Sequence, residues 1–202
     1  MDNRPIGIMD SGVGGLTVAC VLKEKYPNEK FIFIGDTARN PYGNKSPEEV
    51  TFFAEEMKAF LAGKQVKMII AACNTITFSV PPSFFEGKIP VIGMSLDFPE
   101  LESVNHLAVI TPMTIRSHRH RDRLKKDFPL MNVTEIPIDG LAYAIEMGKE
   151  ESFIYRMINK AVQKAGAESV DAAVLACTHY PLVAGVFRDI LPNTLLIDPA
   201  ER

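Results

Sequence analysis

The fold of this chain is decided by one stretch, Val66-Lys67-Met68-Ile69-Ile70-Ala71-Ala72-Cys73-Asn74-Thr75. Its apolar run is short and bounded by polar residues, which is typical of a strand buried on both faces of a parallel sheet. Cys73 follows at the carboxyl end of that strand, where open α/β sheets place their binding sites. The sequence therefore predicts an α/β protein with a functional residue at Cys73.

A similar stretch occurs in the second half of the chain. The mostly apolar run Val170–Leu175 leads into Ala176-Cys177-Thr178-His179-Tyr180-Pro181. A single cysteine in such a place is ordinarily a small buried hydrophobe. Two cysteines in matched settings instead indicate a pair of functional thiols.

His179 stands two residues beyond Cys177. If the chain stays extended through Thr178, the imidazole lies on the same side as the thiol, because side chains at i and i+2 share a face. A neutral imidazole could then accept the proton of the thiol, and an imidazolium could stabilise a thiolate. The alternative is a histidine that only caps the Tyr180-Pro181 turn.

Composition and charge favour a globular protein that binds a small molecule. The 202 residues are 47% hydrophobic and 23% charged, with a net charge of -3, so neither nucleic acid nor an anionic membrane is an expected partner. The first residues lack the features of a signal peptide, and no segment has membrane-spanning length. Three cysteines without framework spacing fit free thiols in a reducing cytoplasm.

A glycine-rich turn, Asp10-Ser11-Gly12-Val13-Gly14-Gly15, joins the apolar strand Pro5–Met9 to a helical pattern. Such a turn gathers backbone N–H groups and suits an anion such as a carboxylate. A nucleotide site is a weaker interpretation, because Thr17 occupies the third glycine position of the dinucleotide motif and no lysine follows. Asp10 is either a helix cap or a charge directed into the site. Cys20, inside the following helix, is expected in the core.

The pattern of apolar runs also predicts the domain organisation. Strand Phe31–Gly35 is followed by Pro41-Tyr42-Gly43, in which Pro41 and Gly43 bracket a rigid loop around a tyrosine. The pattern becomes irregular between Leu96 and His106, where we place the boundary. Residues 1–95 are expected to form the first half, with residues 193–202 returning to it, and residues 96–192 the second half.

A strongly basic stretch follows the boundary, from Arg116 to Lys126, and it includes His118 and His120. Histidines two positions apart on a helix point in different directions, so we do not expect them to bind one metal ion. A solvated helical face is the favoured interpretation.

Five motifs occur in order along the chain: Asp10-Ser11-Gly12-Val13-Gly14-Gly15-Leu16, Gly35-Asp36-Thr37-Ala38-Arg39, Pro41-Tyr42-Gly43, Ala72-Cys73-Asn74-Thr75 and Cys177-Thr178-His179-Tyr180-Pro181. They resemble the motifs of glutamate racemases, members of the cofactor-independent aspartate/glutamate racemase superfamily. This resemblance extends over nearly the whole chain and implies two similar three-layer α/β halves with mainly parallel sheets and an active site in the cleft between them. It further implies a homodimer that needs no cofactor or metal and that supplies D-glutamate for peptidoglycan.

The resemblance also implies a role for each site residue. Inversion of an α-carbon requires a base on one face and an acid on the other, and two thiols can fill both roles. Cys73 would take the proton from D-glutamate and Cys177 from L-glutamate, assisted by Asp10 and His179 respectively. The substrate-binding residues would be Asp10, Ser11, Pro41, Tyr42, Gly43, Asn74, Thr75, Thr111, Thr114, Glu146, Thr178 and His179.

Two alternatives stay open at this point. One is a catalytically silent amino-acid-binding protein on the same scaffold. The other is a related racemase or isomerase of the superfamily that acts on a different acid. The sequence also departs from the family pattern, since Pro137-Ile138-Asp139-Gly140 lacks an expected cysteine and family members continue into a further helical segment after residue 202.

Overall fold

The computed structural model describes residues 2–96, 98–112 and 118–201. Thr114, one of the predicted binding residues, lies outside the described residues. The chain divides into two compact units, of which the first ends at Met94 and the second extends from Ser95 to Ala200. Each unit is built around its own sheet.

The first unit contains a four-stranded sheet in which every strand pair is parallel, with the order β2-β1-β3-β4. Its central strand β1 is buried along its whole length, whereas the edge strand β2 is half-buried. The elements are β1 (Ile6–Asp10), α1 (Leu16–Lys25), β2 (Phe31–Gly35), α2 (Pro47–Gly63), β3 (Met68–Ala71), α3 (Asn74–Ser79) and β4 (Val91–Ile92).

The second unit repeats this arrangement with the sheet order β6-β5-β7-β8, again parallel throughout. The prediction of two similar α/β halves with parallel sheets is therefore confirmed. The elements are β5 (His106–Thr111), α4 (Arg119–Asp127), β6 (Asn132–Pro137), α5 (Leu141–Glu146), α6 (Glu151–Ala165), β7 (Ala172–Leu175), α7 (Ala184–Ile190) and β8 (Leu195–Ile197).

Helix α2 shows how local sequence sets the helix boundaries. Ser46 accepts a hydrogen bond from the backbone N–H of Glu49, and the Glu49 carboxylate accepts one from the N–H of Ser46, which forms a capping box before Pro47. The helix then buries Val50, Ala54, Met57 and Leu61 on one face. Within the described ranges, no helix combines the length and the apolar character that crossing a membrane requires.

The prediction that residues 193–202 return to the first half is wrong for strand β8. Leu195–Ile197 pairs in parallel with β7, which makes it the edge strand of the second sheet. The pairing is fixed at its start, because Thr194 Oγ1 donates to the carbonyl of Val170 at 2.9 Å and the Leu195 N–H donates to that of Asp171 at 3.0 Å.

The prediction that Cys20 lies in the core is also wrong, because Cys20 is exposed. The buried residue of α1 is Val18. Two positions along a helix correspond to a rotation of about 200°, so Cys20 points away from the side that Val18 buries. Apolar neighbours in the sequence therefore did not indicate which face of this short helix is covered.

The basic stretch around α4 is only partly the solvated face that we predicted. His118 is about half exposed and its Nδ1 contacts the Glu135 carboxylate. His120, in contrast, is completely buried, and burial lowers its pKa to about 4. His118 precedes α4 in a left-handed backbone conformation, so the two histidines do not both lie on the helix.

The turn between β1 and α1 is held by the Asp10 side chain. Asp10 is completely buried, and its Oδ2 accepts hydrogen bonds from the N–H groups of Gly12 at 3.0 Å and Gly15 at 3.1 Å. Gly15 lies so close that a Cβ added there would be 2.5 Å from the Asp10 Cβ and 3.0 Å from the ring of Phe33. The turn therefore requires glycine at position 15 because of close approach.

We predict that Gly15→Ala destabilises the protein by about 1–3 kcal/mol, because the added methyl group must displace the Asp10 side chain. Urea unfolding followed by circular dichroism measures this change. Gly63→Ala is the matched control, since beyond its chain neighbours and the nearby helix backbone no atom lies within 4 Å of the added Cβ, and alanine is the better helix former. Equal loss of stability in both variants would contradict this account of the turn.

We predict that His120 makes the folded protein sensitive to acid. The unfolded imidazole titrates near 6.5 and the folded one near 4, so the unfolded state binds the additional proton as the pH falls between these values. Stability should be full above pH 6.5 and should fall by up to about 3 kcal/mol as the pH approaches 4.

The test is the pH dependence of urea unfolding in wild type and in His120→Gln, which keeps a polar side chain that cannot titrate. The variant should have a shallower slope between pH 6.5 and 4. Parallel curves for wild type and His120→Gln would rule out this role of His120.

Candidate active site

Cys73 lies two residues beyond the last residue of β3 and immediately before the first residue of α3. The side chain is 5% exposed, and Sγ donates to the Ser11 hydroxyl at 3.5 Å. Ser11 comes from the turn after β1, the strand that pairs with β3. Parallel pairing therefore brings the glycine-rich turn and the first cysteine motif together.

Burial, and to a lesser extent the negative charge of Asp10, raise the pKa of the Cys73 thiol to about 11. The hydrogen bonds that a Cys73 thiolate would accept from the Ser11 hydroxyl and from the backbone N–H groups of Ile76 and Ser11 lower the pKa but are weaker. In this structure Cys73 is thus a thiol at neutral pH. The Cys73 side chain can therefore donate a proton in this state but cannot accept one.

The two residues after Cys73 are also buried and polar. Asn74 is 3% exposed, and its Oδ1 has no hydrogen-bond partner among the residues that the structure describes. Thr75 is 8% exposed. A buried amide oxygen without a donor is unfavourable by about 1–3 kcal/mol, so this atom is suited to a ligand that supplies an N–H.

The loop Pro41-Tyr42-Gly43 reaches the same cluster. Tyr42 is 1% exposed and packs in the apolar core that also contains Cys73. Its hydroxyl donates to Asp36 Oδ2 at 2.5 Å, and burial together with that carboxylate raises the pKa of Tyr42 above its usual range. The tyrosine is therefore a neutral, fixed wall of the site.

Asp36 anchors this loop, although its role was not foreseen. Besides the Tyr42 hydroxyl, the same Oδ2 accepts a hydrogen bond from Arg39 Nε at 2.5 Å. Arg39 also contacts Glu56 and lies over the ring of Phe53, with its guanidinium carbon 4.1 Å from the centroid. The sequence feature that could have indicated this role is the position of Asp36 immediately after β2. The carboxyl ends of parallel strands lie near one another, so Asp36 is expected close to the other site residues.

In the second unit, Cys177 lies two residues beyond β7, the position equivalent to that of Cys73. It is 8% exposed, and its Sγ is 3.8 Å from Nδ1 of His179. His179 is 2% exposed, and its Nε2 is 2.9 Å from Oε2 of Glu146 at the end of α5. The thiol, the imidazole and the carboxylate form a continuous chain of polar contacts.

The approach of His179 to Cys177 does not come from an extended chain, so the predicted reason is wrong. The N–H of Tyr180 donates to the carbonyl of Cys177 at 3.0 Å, which closes a tight turn, and His179 has helical backbone angles. The turn folds the imidazole back toward the sulfur. Thr178, inside this turn, is buried as well.

Glu146, which we expect near the substrate, lies beside His179. Its carboxylate contacts the imidazole of His179 and is 16% exposed. Thr111 ends strand β5, the neighbour of β7, and is 3% exposed. The second unit thus brings together Thr111, Cys177, Thr178, His179 and Glu146 from the set of predicted residues.

The two groups of residues carry acids, bases and hydroxyls but no evident metal site. Among residues 2–96, 98–112 and 118–201, no three histidine, cysteine, aspartate or glutamate side chains are grouped so as to hold a metal ion. What the arrangement offers is proton transfer: a buried thiol beside a carboxylate in one unit, and a buried thiol beside an imidazole in the other.

Known proteins are similar to this chain over its full length, although no protein-family model matches it. The glutamate racemase of Lactobacillus helveticus is 38% identical over 209 residues, a match that covers 100% of this chain and 78% of the relative. A crystal structure of glutamate racemase from Francisella tularensis, in complex with D-glutamate, has a TM-score of 0.90 and 35% identity over 100% of this chain and 78% of that one. The glutamate racemase of Bacillus anthracis has a TM-score of 0.89 at 30% identity, with 100% and 79% covered.

Sequence and structure lead to the same assignment. The relatives cover both units of this chain, at an identity that is well above chance over the whole length. The chain therefore belongs to the glutamate racemases, a family of isomerases.

Proposed function

We propose that this protein interconverts L- and D-glutamate by proton transfer at Cα between two thiols, Cys73 and Cys177. The observation that carries the proposal is the equivalent position of the two cysteines, each two residues beyond a central parallel strand and each beside a titratable group. The relative from Francisella tularensis, whose structure contains D-glutamate, supports glutamate as the substrate.

The reaction needs one thiolate and one thiol. Starting from L-glutamate, the thiolate of Cys177 removes the proton from Cα while the thiol of Cys73 delivers a proton to the opposite face. The products are D-glutamate, a Cys177 thiol and a Cys73 thiolate. The raised pKa of Cys73 favours the protonated form that this direction requires before the reaction.

His179 is suited to prepare Cys177 for this role. Its Nδ1 faces the sulfur and can take the thiol proton, and Glu146 at Nε2 stabilises the imidazolium that results. Glu146 is thus proposed as a positioning residue that acts through His179, rather than as a direct substrate ligand. Asp10 is proposed to serve Cys73, because its charge acts on that thiol.

The substrate groups find suitable partners in both units. The unpartnered Oδ1 of Asn74 is suited to accept an N–H of the substrate ammonium group. Hydroxyl groups provide donors for the carboxylates, and the Tyr42 loop is proposed at the side-chain end. The remaining proposed binding residues are Asp10, Ser11, Pro41, Gly43, Thr75, Thr111, Thr114, Thr178 and His179.

We further propose that the protein acts as a homodimer in the cytoplasm and that its D-glutamate is used for peptidoglycan. Membership in the glutamate racemases supports this setting, and so does the reduced state of Cys20, Cys73 and Cys177, none of which forms a disulfide.

Exchange of the Cα proton of glutamate in heavy water tests the activity directly. An active racemase incorporates deuterium at Cα of both enantiomers, whereas a silent binding protein incorporates none. A panel of D- and L-amino acids in the same assay distinguishes a glutamate racemase from a related isomerase that acts on another acid.

We predict that Cys73→Ala and Cys177→Ala each reduce kcat for racemisation by roughly three orders of magnitude or more, because each removes the acid or base on one face. Circular dichroism kinetics with each enantiomer measure the loss. Cys20→Ala, which changes an exposed cysteine outside the site, is the control and should keep wild-type activity. Near-normal turnover in either active-site variant would exclude the two-thiol mechanism.

We predict that His179→Asn impairs proton abstraction by Cys177 more than abstraction by Cys73. Because the two enantiomers have equal free energy, kcat/KM must fall equally in both directions, so the asymmetry appears in isotope effects. The deuterium effect should increase with L-glutamate labelled at Cα and decrease with labelled D-glutamate.

Glu146→Gln is the companion variant, since its amide oxygen can still accept a hydrogen bond from Nε2. Glu146→Gln should change the two isotope effects in the same directions as His179→Asn, with a smaller decrease in kcat/KM. Isotope effects that stay at wild-type values in His179→Asn would contradict the role in proton transfer and indicate a purely structural role for His179.

A further inference from the structure

The second unit carries a groove between strand β6 and helix α6 that the proposed chemistry does not use. Its volume is about 600 Å³, which lies within the ~300–1,000 Å³ typical of small-molecule sites. Ile138, Met157 and Ala161 provide an apolar lining. All of these residues belong to one unit, so the groove is complete within it.

The charges at the groove favour an anion. Lys160 and Lys164 lie one turn apart on α6, both exposed, and neither forms an ion pair within the described part of the chain. On the opposite side, the Glu135 carboxylate already contacts His118 and lies 3.9 Å from Nη1 of Arg121. The two lysines therefore outnumber Asp139, the remaining acid at the groove.

We propose that this groove binds an amphiphilic anion, a small molecule with an apolar body and a carboxylate or phosphate group. The apolar body lies on Ile138, Met157 and Ala161, and the anionic group lies between Lys160 and Lys164. Binding removes apolar surface from water and places a charge between two ammonium groups that attract it.

The groove is connected to His179 through α5. The N–H of Ile138 donates to the carbonyl of Thr111 at 2.9 Å, and α5 begins three residues further on at Leu141. The last residue of α5 is Glu146, which contacts His179. A ligand that fixes Ile138 and Asp139 thus acts on the start of the helix that positions the imidazole. This coupling rests on the role proposed for His179, whereas binding in the groove does not.

Fluorescence titration with anilinonaphthalene sulfonate tests the site, because this probe joins an aromatic body to one anionic group. The wild-type protein should bind the probe saturably. The double variant Lys160→Glu/Lys164→Glu should have a Kd for the probe that is higher by at least about fivefold. The matched control is Lys125→Glu/Lys126→Glu on α4, which makes the same charge change at exposed positions outside the groove. No saturable binding, or equal binding by all three proteins, would overturn the proposal.

Displacement of the probe identifies the anionic group. Octanoate that displaces it indicates a carboxylate ligand, and phenyl phosphate that displaces it indicates a phosphate ligand. Displacement by neither overturns the assignment to this ligand class.

The imidazole signals of His179 in a nitrogen NMR spectrum, assigned with His179→Asn, test the coupling without measuring activity. The probe should shift these signals in wild type and leave them unchanged in the Lys160→Glu/Lys164→Glu protein. Binding that leaves the His179 signals in place would overturn the coupling. Absence of deuterium exchange at Cα of glutamate in the wild-type protein would instead contradict the proposed function.

Discussion

In each unit, everything depends on the parallel pairing of the central strand with the strand that precedes the cysteine. The register aligns Met9 with Ala71 and Ile110 with Leu175, and the N–H groups of Ala72 and Ala176 extend the pairing by one further bond of 2.9 Å each. This register places Asp10 and Thr111 at the same sheet edge as the two cysteine motifs. A shift by one residue would turn every side chain to the opposite face of the sheet.

The two units use one scaffold to supply different partners for their thiols. Cys73 has a carboxylate nearby that comes from the neighbouring strand, and Thr75 stands two residues after it. In the second unit the residue two positions after the cysteine is His179, and the neighbouring strand provides Thr111 instead. The repeated fold therefore sets the positions of the two thiols. The residues that differ between the two units determine which acidic or basic side chain lies beside each thiol.

Much of this arrangement can be predicted from sequence, because buried parallel strands are short continuous apolar runs with polar residues at their ends. Val66–Ala72 and Val170–Leu175 indicated both cysteine positions in this way. The burial of His120 and the exposure of Cys20 could not be predicted, since each depends on which helix face the sheet covers. The contact between Glu146 and His179 joins residues that are 33 positions apart and requires the path of α5 to be known.

The burial of Cys73 also has a consequence for the chemical durability of the protein. Oxidants and alkylating reagents attack thiolates, and a thiol with a pKa of about 11 is almost entirely protonated at neutral pH. The surroundings that keep this sulfur as an acid therefore also protect it from peroxide when no substrate is bound.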